Sequence, residues 1–319
     1  MKLLMISTDS KVFEQKSAVR ARMISYAAKV EKLLIAIIGQ GQFPPSQINQ
    51  NFRIISLNRI IALFWHPKED FNLVTSQDPF ENGLIAWFLS KRLRAKLELQ
   101  IHTDFLSPYF TKYSFLNKIR LILAKFLLPK ADKIRVVSNR IKDSLITNLR
   151  IPESKIEVRP IFVDTENIKN APITVDLHKK YPQFDKIILM ASRLTREKNI
   201  GLAIKAMREI TKKRSKIGLL IVGTGSEERK LKLQATSYKL QANIVFEFWV
   251  NQETLSSYYK TCDLFLVTSL YEGYGMTLVE AQATGCPIVS TDVGVAREIG
   301  ARIVEQNSVS VAEGVIELL

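Results

Sequence analysis

Short apolar runs alternate with stretches at helical spacing along nearly all of this 319-residue chain, and that alternation restricts the fold more than any other feature. "KLLMIST" reads as a strand and "SAVRARMISYAAKV" as the helix after it. "KLLIAIIG", "FNLVTS", "LELQIHTD" and "DKIRVVS" are further strands, with "ENGLIAWFLSKRL" and "SFLNKIRLILAKFLL" as helices between them. Strands joined through helices run parallel, and a parallel sheet must be covered on both faces. The rhythm breaks at 160–186, "PIFVDTENIKNAPITVDLHKKYPQFD", which is rich in proline, asparagine and aspartate and reads as an interdomain linker. It restarts with "KIILMAS", "NIGLAIKAMREITKK", "IGLLIVG" and "SEERKLKLQATSY", then "NIVFEFWV", "DLFLVTS" and "PIVST". The expected architecture is α/β, with two doubly wound parallel-sheet domains, 1–165 and 166–319, facing a cleft. Ligands of such sheets sit at the carboxyl ends of the strands.

Composition narrows the class. Hydrophobic residues make up 46% and charged residues 24% of the chain, as in soluble globular proteins. The longest apolar stretch, "IRLILAKFLLP", is broken by charge and falls short of the roughly 20 residues of a membrane span. The start, "MKLLMISTDSK", reads as a strand and not as a signal peptide, so an intracellular protein is expected. Cys262 and Cys286 read as buried reduced thiols, and His66, His102 and His178 lack metal-ligand spacing, so no metal site is expected. Residues 1–170 hold 27 Lys and Arg against 15 Asp and Glu, whereas 171–319 hold 19 against 16. The first half should face something anionic: nucleic acid, an acidic membrane surface or a phosphorylated substrate.

The chemistry concentrates in "SLYEGYGMTLVEAQATGCPIVST", 269–291. A strand ends near Ser269, "LYEGYG" is the loop at its carboxyl end, and a helix starts near Met276 or Thr277 and stops at Gly285. The amides of 275–278 should point out of the helix start and suit a phosphate. Gly273 and Gly275 allow the backbone to approach it. Glu272 stands on the loop, and Glu280 lies about one turn inside the helix. Carboxylates beside a diphosphate would repel it, so these two should address hydroxyls, of a sugar and of a ribose. "ASRLTREKNIG", 191–201, likewise follows a strand and precedes a helix. It carries Arg193 and Lys198, two cations suited to a diphosphate. Gly223 and Gly225 in "IVGTGSEERK" lack the rest of a dinucleotide fingerprint and read as a tight turn lining the same cleft. In the first half, His102 and Asp104 stand at a strand's carboxyl end, where His102 is a catalytic candidate. "IFVDTE" is discounted as a metal motif.

These residues resemble a known family. "YEGYGMTLVEA" looks like the Glu–seven residues–Glu motif of retaining glycosyltransferases of the GT-B fold, family 4 type, and "SRLTREKN" like their Arg…Lys diphosphate loop. "SQDPFENGL", "IHTDF" and "VSNRIKDSL" look like segments of their first domain, so the likeness covers essentially the whole chain. The resemblance implies two Rossmann-like domains, an acceptor-side one and a nucleotide-sugar-binding one. It also implies transfer of a sugar from a nucleoside diphosphate sugar to a glycan or lipid-linked acceptor, with retention at the anomeric carbon. It implies no metal and no cofactor beyond that co-substrate. Glu272 would address the donor sugar, Glu280 the ribose, and Arg193 and Lys198 the diphosphate, with His102 near the reacting centre. Gly223, Gly225, Trp249, Gly273, Tyr274, Gly275, Met276 and Thr277 complete the donor-binding set.

The chain departs from the family in three places. "STDSKVFEQKSAVR" stands where relatives carry a glycine pair, leaving Ser17 and Arg20, with Asp104, as the acceptor-side candidates. Residues 40–70 look shorter than usual. The chain stops at "SVAEGVIELL", where relatives continue, so its second domain is expected to be truncated.

Residues 112–128 put Phe115, Ile119, Ile122 and Phe126 on one helical stripe, with Lys118, Arg120 and Lys125 elsewhere. The stripe reads as the core side of a helix with a basic outer face. Docking of the basic first domain on anionic lipid, at the cytoplasmic side of a membrane, is the further expectation. The rival to an enzyme is a non-catalytic anion- or nucleic-acid-binding protein that uses the basic half.

Overall fold

A computed structural model describes residues 1–39 and 43–319. The chain divides into two compact units, Met1–Pro160 and Ile161–Leu319. The first contains β1 (Lys2–Ser7), β2 (Lys32–Ile38), β3 (Ser46–Asn49), β4 (Phe52–Leu57), β5 (Leu73–Ser76), β6 (Lys96–Ile101), β7 (Lys133–Val136) and β8 (Ile156–Val158). They form one sheet in the order β3-β4-β2-β1-β5-β6-β7-β8, parallel except for β3 against β4. The second unit holds β9 (Lys186–Ala191), β10 (Ile217–Val222), β11 (Ile244–Glu247), β12 (Leu264–Val267), β13 (Ile288–Thr291) and β14 (Arg302–Val304). These give a parallel sheet in the order β11-β10-β9-β12-β13-β14. The expected pair of doubly wound sheets is present.

The central strands are buried along nearly their whole length, as two helix-covered faces require; β10 is buried at every position. In the second unit one core cluster gathers Ile188, Met190, Leu219 and Ile221 with the helix Ile200–Lys213. The other gathers Leu189, Leu220 and Phe265 with the helix Gln252–Thr261. Alternation along each strand thus serves two apolar layers.

The segment expected as a linker is more structured than its composition suggests. From Ile161 onward it belongs to the second unit. Asp164 caps a short helix, Thr165–Asn170, which explains the acidic pair in "IFVDTE". The Thr174 amide donates to Ser257 Oγ at 2.9 Å, and Phe184 packs on β10 where Gly218 leaves room. Aperiodic composition signals the lack of a long element, not the lack of packing. The stretch 40–70, read as trimmed, carries the β3–β4 hairpin and a helix, Arg59–Phe64; residues 40–42 lie outside the described residues.

The reading of 112–128 is corrected. The helix Phe115–Leu127 turns Ala124 and Leu127 inward. Phe115, Ile119, Ile122 and Phe126, expected in the core, are exposed. A stripe at helical spacing identifies an apolar face and does not say what covers it.

Gly218 tests the packing of the 161–185 segment. A Cβ there would lie 2.3 Å from the Phe184 ring. Gly218→Ala should destabilise the protein by about 1–3 kcal/mol in denaturant titration. Adding Phe184→Ala should cost less than the sum of the two single changes, because the clash is then gone. Full additivity would show that the two sites do not touch.

Candidate active site

Five loops meet at the carboxyl edge of the second sheet. β9 and β12 are neighbours, so the loop after β9 and the loop after β12 lie side by side. They are stitched together. The Thr268 hydroxyl donates to the carbonyls of Lys198 and Asn199 at 3.3 and 3.1 Å, and the Leu270 amide donates to the Glu197 carbonyl at 2.8 Å. On this base Lys198 Nζ donates to Glu272 Oε1 at 2.5 Å, and the Ser269 hydroxyl donates to the same oxygen at 2.7 Å. Both charged side chains are only 17% exposed, so their attraction is screened less than on an open surface. Arg193 stands outside this pair. It is 68% exposed and 3.3 Å from Glu197, which also accepts from the Thr195 hydroxyl at 2.6 Å. A cavity of about 20 Å³ lies among Ser192, Lys198, Ser269, Glu272 and Thr277, room for one water-sized group.

Glycines permit the close approach of these loops. Gly223 has φ +141°, and a Cβ there would meet the Ser192 carbonyl oxygen at 2.0 Å; one at Gly225 would meet the Leu194 oxygen at 2.4 Å. The pair therefore packs the loop after β10 against the diphosphate candidate loop. Trp249, about half exposed in the loop after β11, lies against Gly223. Beyond Glu272, Gly273 and Tyr274 lead to Gly275, whose φ of +88° turns the chain into the helix Met276–Ala283. No side chain caps that helix start. The Leu278 amide, expected among the outward donors, is instead bonded to the Gly275 carbonyl at 3.0 Å. Gly294 carries no signature in the sequence. A Cβ there would lie 2.2 Å from the Tyr274 oxygen, and its neighbour Val295 donates to that oxygen at 2.9 Å.

Glu280 lies deeper than a surface carboxylate. It is buried, and its Oε2 accepts from the Tyr259 hydroxyl at 3.1 Å. Burial raises its pKa, opposed by the hydrogen bonds from Tyr259 and Gln252. The two cysteines, distant in sequence, come together with their sulfurs 3.3 Å apart. The hydrogen bond to Cys286 and then burial push the Cys262 thiol well up, which keeps it protonated.

In the first unit His102 directly follows β6, and its Nε2 lies 3.3 Å from Gln100 Oε1. The ring keeps an exposed edge. Desolvation by the surrounding chain, then the positive charge of Arg135 and Arg22, lower its pKa to about 4, so it is neutral at pH 7. Asp104 is buried, with Arg140 Nε 3.5 Å from its carboxylate; burial raises its pKa and Arg140 opposes that. Ser17 caps a helix by accepting from the Arg20 amide at 3.1 Å, and Arg20 Nη1 donates to the Phe13 carbonyl at 3.1 Å. As placed, Asp104, Ser17 and Arg20 each hold local structure.

The family model for glycosyl transferases group 1 matches residues 177–317, and that for glycosyltransferase family 4 matches 22–167. The alpha-monoglucosyldiacylglycerol synthase of Streptococcus pneumoniae is 24% identical over 229 residues, 69% of this chain and 51% of that protein. The chain spans about half the length of the curated relatives it matches. Among solved structures, sucrose-phosphate synthase from Thermosynechococcus elongatus superposes with a TM-score of 0.78 at 17% identity, covering 100% of this chain and 90% of that one. Anabaena HepE, solved with UDP and glucose, gives 0.71 at 18% identity, covering 98% and 88%. These two likenesses speak to the fold.

Burial of Glu280 has a pH signature. Its folded pKa lies above its unfolded value, so the folded protein holds that proton to higher pH. The associated stability is full below the unfolded value and is lost as pH rises through the folded one. Glu280→Gln keeps an acceptor for Tyr259 without the charge. It should melt about 2–4 °C above the parent near pH 8, and the gap should close toward pH 4. A parent protein that is the more stable of the two at pH 8 would contradict this account.

Proposed function

From the premise that the chain belongs to the glycosyl transferases group 1 family, of GT-B fold, we propose that it transfers a sugar from a nucleoside diphosphate sugar to a lipid-linked or glycan acceptor, with retention at the anomeric carbon and without a metal. The observation that carries this reading is the Lys198–Glu272 pair, held on adjacent loops beside an uncapped helix start. A diphosphate entering here meets Lys198, the exposed Arg193 and the amides at the start of the helix Met276–Ala283. As the glycosidic bond breaks, negative charge grows on the leaving diphosphate, and these groups, engaged when the donor binds, stabilise it. Drawing Lys198 toward phosphate frees Glu272 to accept from hydroxyls of the donor sugar, whose ring becomes oxocarbenium-like. Glu280 addresses the ribose, and the Trp249 ring offers a flat face to the base. His102, a neutral imidazole at the edge of the first sheet, is assigned to the sugar and acceptor hydroxyls.

A lipid-linked acceptor is supported by the S. pneumoniae relative, a synthase named for a glycosylated diacylglycerol. On this reading the protein works at the inner surface of a membrane. No helix among the described residues is long and apolar enough to cross one. The HepE complex favours a uridine donor.

A screen of sugar donors for nucleoside diphosphate release, beside titration with the free nucleotide, tests the assignment. Lys198→Ala should weaken nucleotide binding at least about tenfold, as loss of a charged hydrogen bond does. Glu272→Gln frees Lys198, so nucleotide affinity should hold or rise while turnover falls about 10²–10³-fold. Retention is read from the anomeric proton coupling of the product, and activity should survive a chelator. DNA binding without release from any donor would favour a non-catalytic role for the basic half.

A further inference from the structure

The helix Phe115–Leu127 presents its apolar stripe to solvent, with Phe115 77% and Ile122 67% exposed. Ile119 and Phe126 complete the row. It does not end at that helix. Trp87 lies edge-on to Phe126 at 5.6 Å between centroids and against Phe88, which is exposed on the helix Glu81–Leu93. Arg92 of that helix donates to the carbonyls of Leu63 and Trp65, which brings in the helix Arg59–Phe64 and its exposed Phe64. Apolar side chains this large, set side by side on three neighbouring helices, exceed the scattered exposure usual for a monomer.

Along the helix Phe115–Leu127 and its flanks the charge is of one sign. Residues 112–130 contain five Lys and Arg and no Asp or Glu. Arg120 turns inward to Glu81 at 3.0 Å, while Lys112, Lys118 and Lys125 stay exposed. Lys130 Nζ sits 4.2 Å over the Phe126 ring. Aromatic and aliphatic side chains rimmed by lysines suit an interface in which the apolar row enters the acyl boundary and the ammonium groups meet headgroups. A twofold contact with a second copy would set these cations against themselves.

We propose that the outer face formed by the helices Phe115–Leu127, Glu81–Leu93 and Arg59–Phe64 docks on an anionic lipid bilayer. The face lies on the surface without crossing it. This rests on the proposed function only in that a lipid-linked acceptor gives the docking a purpose, and the test below involves no sugar transfer.

Flotation with vesicles tests it. The full chain should float with phosphatidylcholine vesicles containing phosphatidylglycerol at low salt. It should stay behind with phosphatidylcholine alone, and lose most binding at high salt. A basic residue at an anionic surface contributes roughly fivefold, so K118E/K125E should reduce binding by more than about tenfold. F115S/I122S should reduce it about as much at any salt. Both variants change exposed side chains, so their melting temperatures should match the parent. No flotation at low salt, or equal flotation with both lipids, would overturn the proposal. So would a dimer in solution that F115S/I122S dissolves while vesicle binding stays absent, since the face would then be a self-association surface.

Discussion

Lys198 and Glu272 must be kept together where little water can reach them, and much of the second unit's carboxyl edge follows from that. A half-sealed ion pair rarely repays its own desolvation. Here the backbone does the holding, through Thr268 on the carbonyls of Lys198 and Asn199 and the Leu270 amide on Glu197. Ser269 satisfies Glu272 further. The flexible stem of a lysine is thus fixed and its charge held in one place. The carboxylate balances that cation. Such packing of loop on loop leaves no space for Cβ atoms at Gly223, Gly225 and Gly294, so the glycines follow from the ion pair's location.

The two-sheet architecture and the position of the charged loops at this edge are legible because each rests on local signals. "YEGYG" must turn, and Gly275 does so with φ +88°. Gly285, with φ +76°, ends the helix where its sequence position indicates. The neighbouring positions of the two charged loops were expected from both belonging to one sheet. What remained hidden depends on contacts between distant residues. Nothing near Asp104 announces Arg140, nothing near Gly294 announces Tyr274, and no spacing relates Cys262 to Cys286. Glu280 sits at a helical position that local pattern alone cannot distinguish from a surface one; its burial comes from Tyr259 on another helix. The stripe Phe115–Phe126 failed in the opposite way. Its helical period is plain in the sequence, but burial depends on which neighbours exist on that side.

The first sheet shows a division that hydropathy does not reveal. Register places Leu33, Leu3 and Leu73 in one row, and Ile35, Met5, Thr75 and Glu98 in the next. One face is therefore apolar over β2 and β1 and becomes polar from β5 outward. Arg135 and Glu157 continue it on β7 and β8. The opposite face keeps Val74, Leu97, Leu99, Ile134 and Val136 buried throughout. Several of the polar groups placed this deep pair with one another. The Thr75 hydroxyl donates to Glu98 at 2.9 Å, and Gln100 Nε2 donates to Thr75 at 2.9 Å.

That chain of bonds ends at His102, and the period of a strand explains why. Positions 98, 100 and 102 fall on one face, so residues two and four before the histidine set its surroundings. With Gln100 Nε2 committed to Thr75, its carbonyl oxygen faces the ring and accepts from His102 Nε2–H, which leaves Nδ1 unprotonated. Arg135, opposite Gln100 in the register, adds positive charge that, after desolvation, disfavours a second proton. Glu98 balances Arg135 without reaching the ring. A polar row that costs the sheet apolar packing therefore specifies both the tautomer and the charge of one imidazole at its edge. An imidazole so held is neutral at pH 7 and keeps Nδ1 as an acceptor.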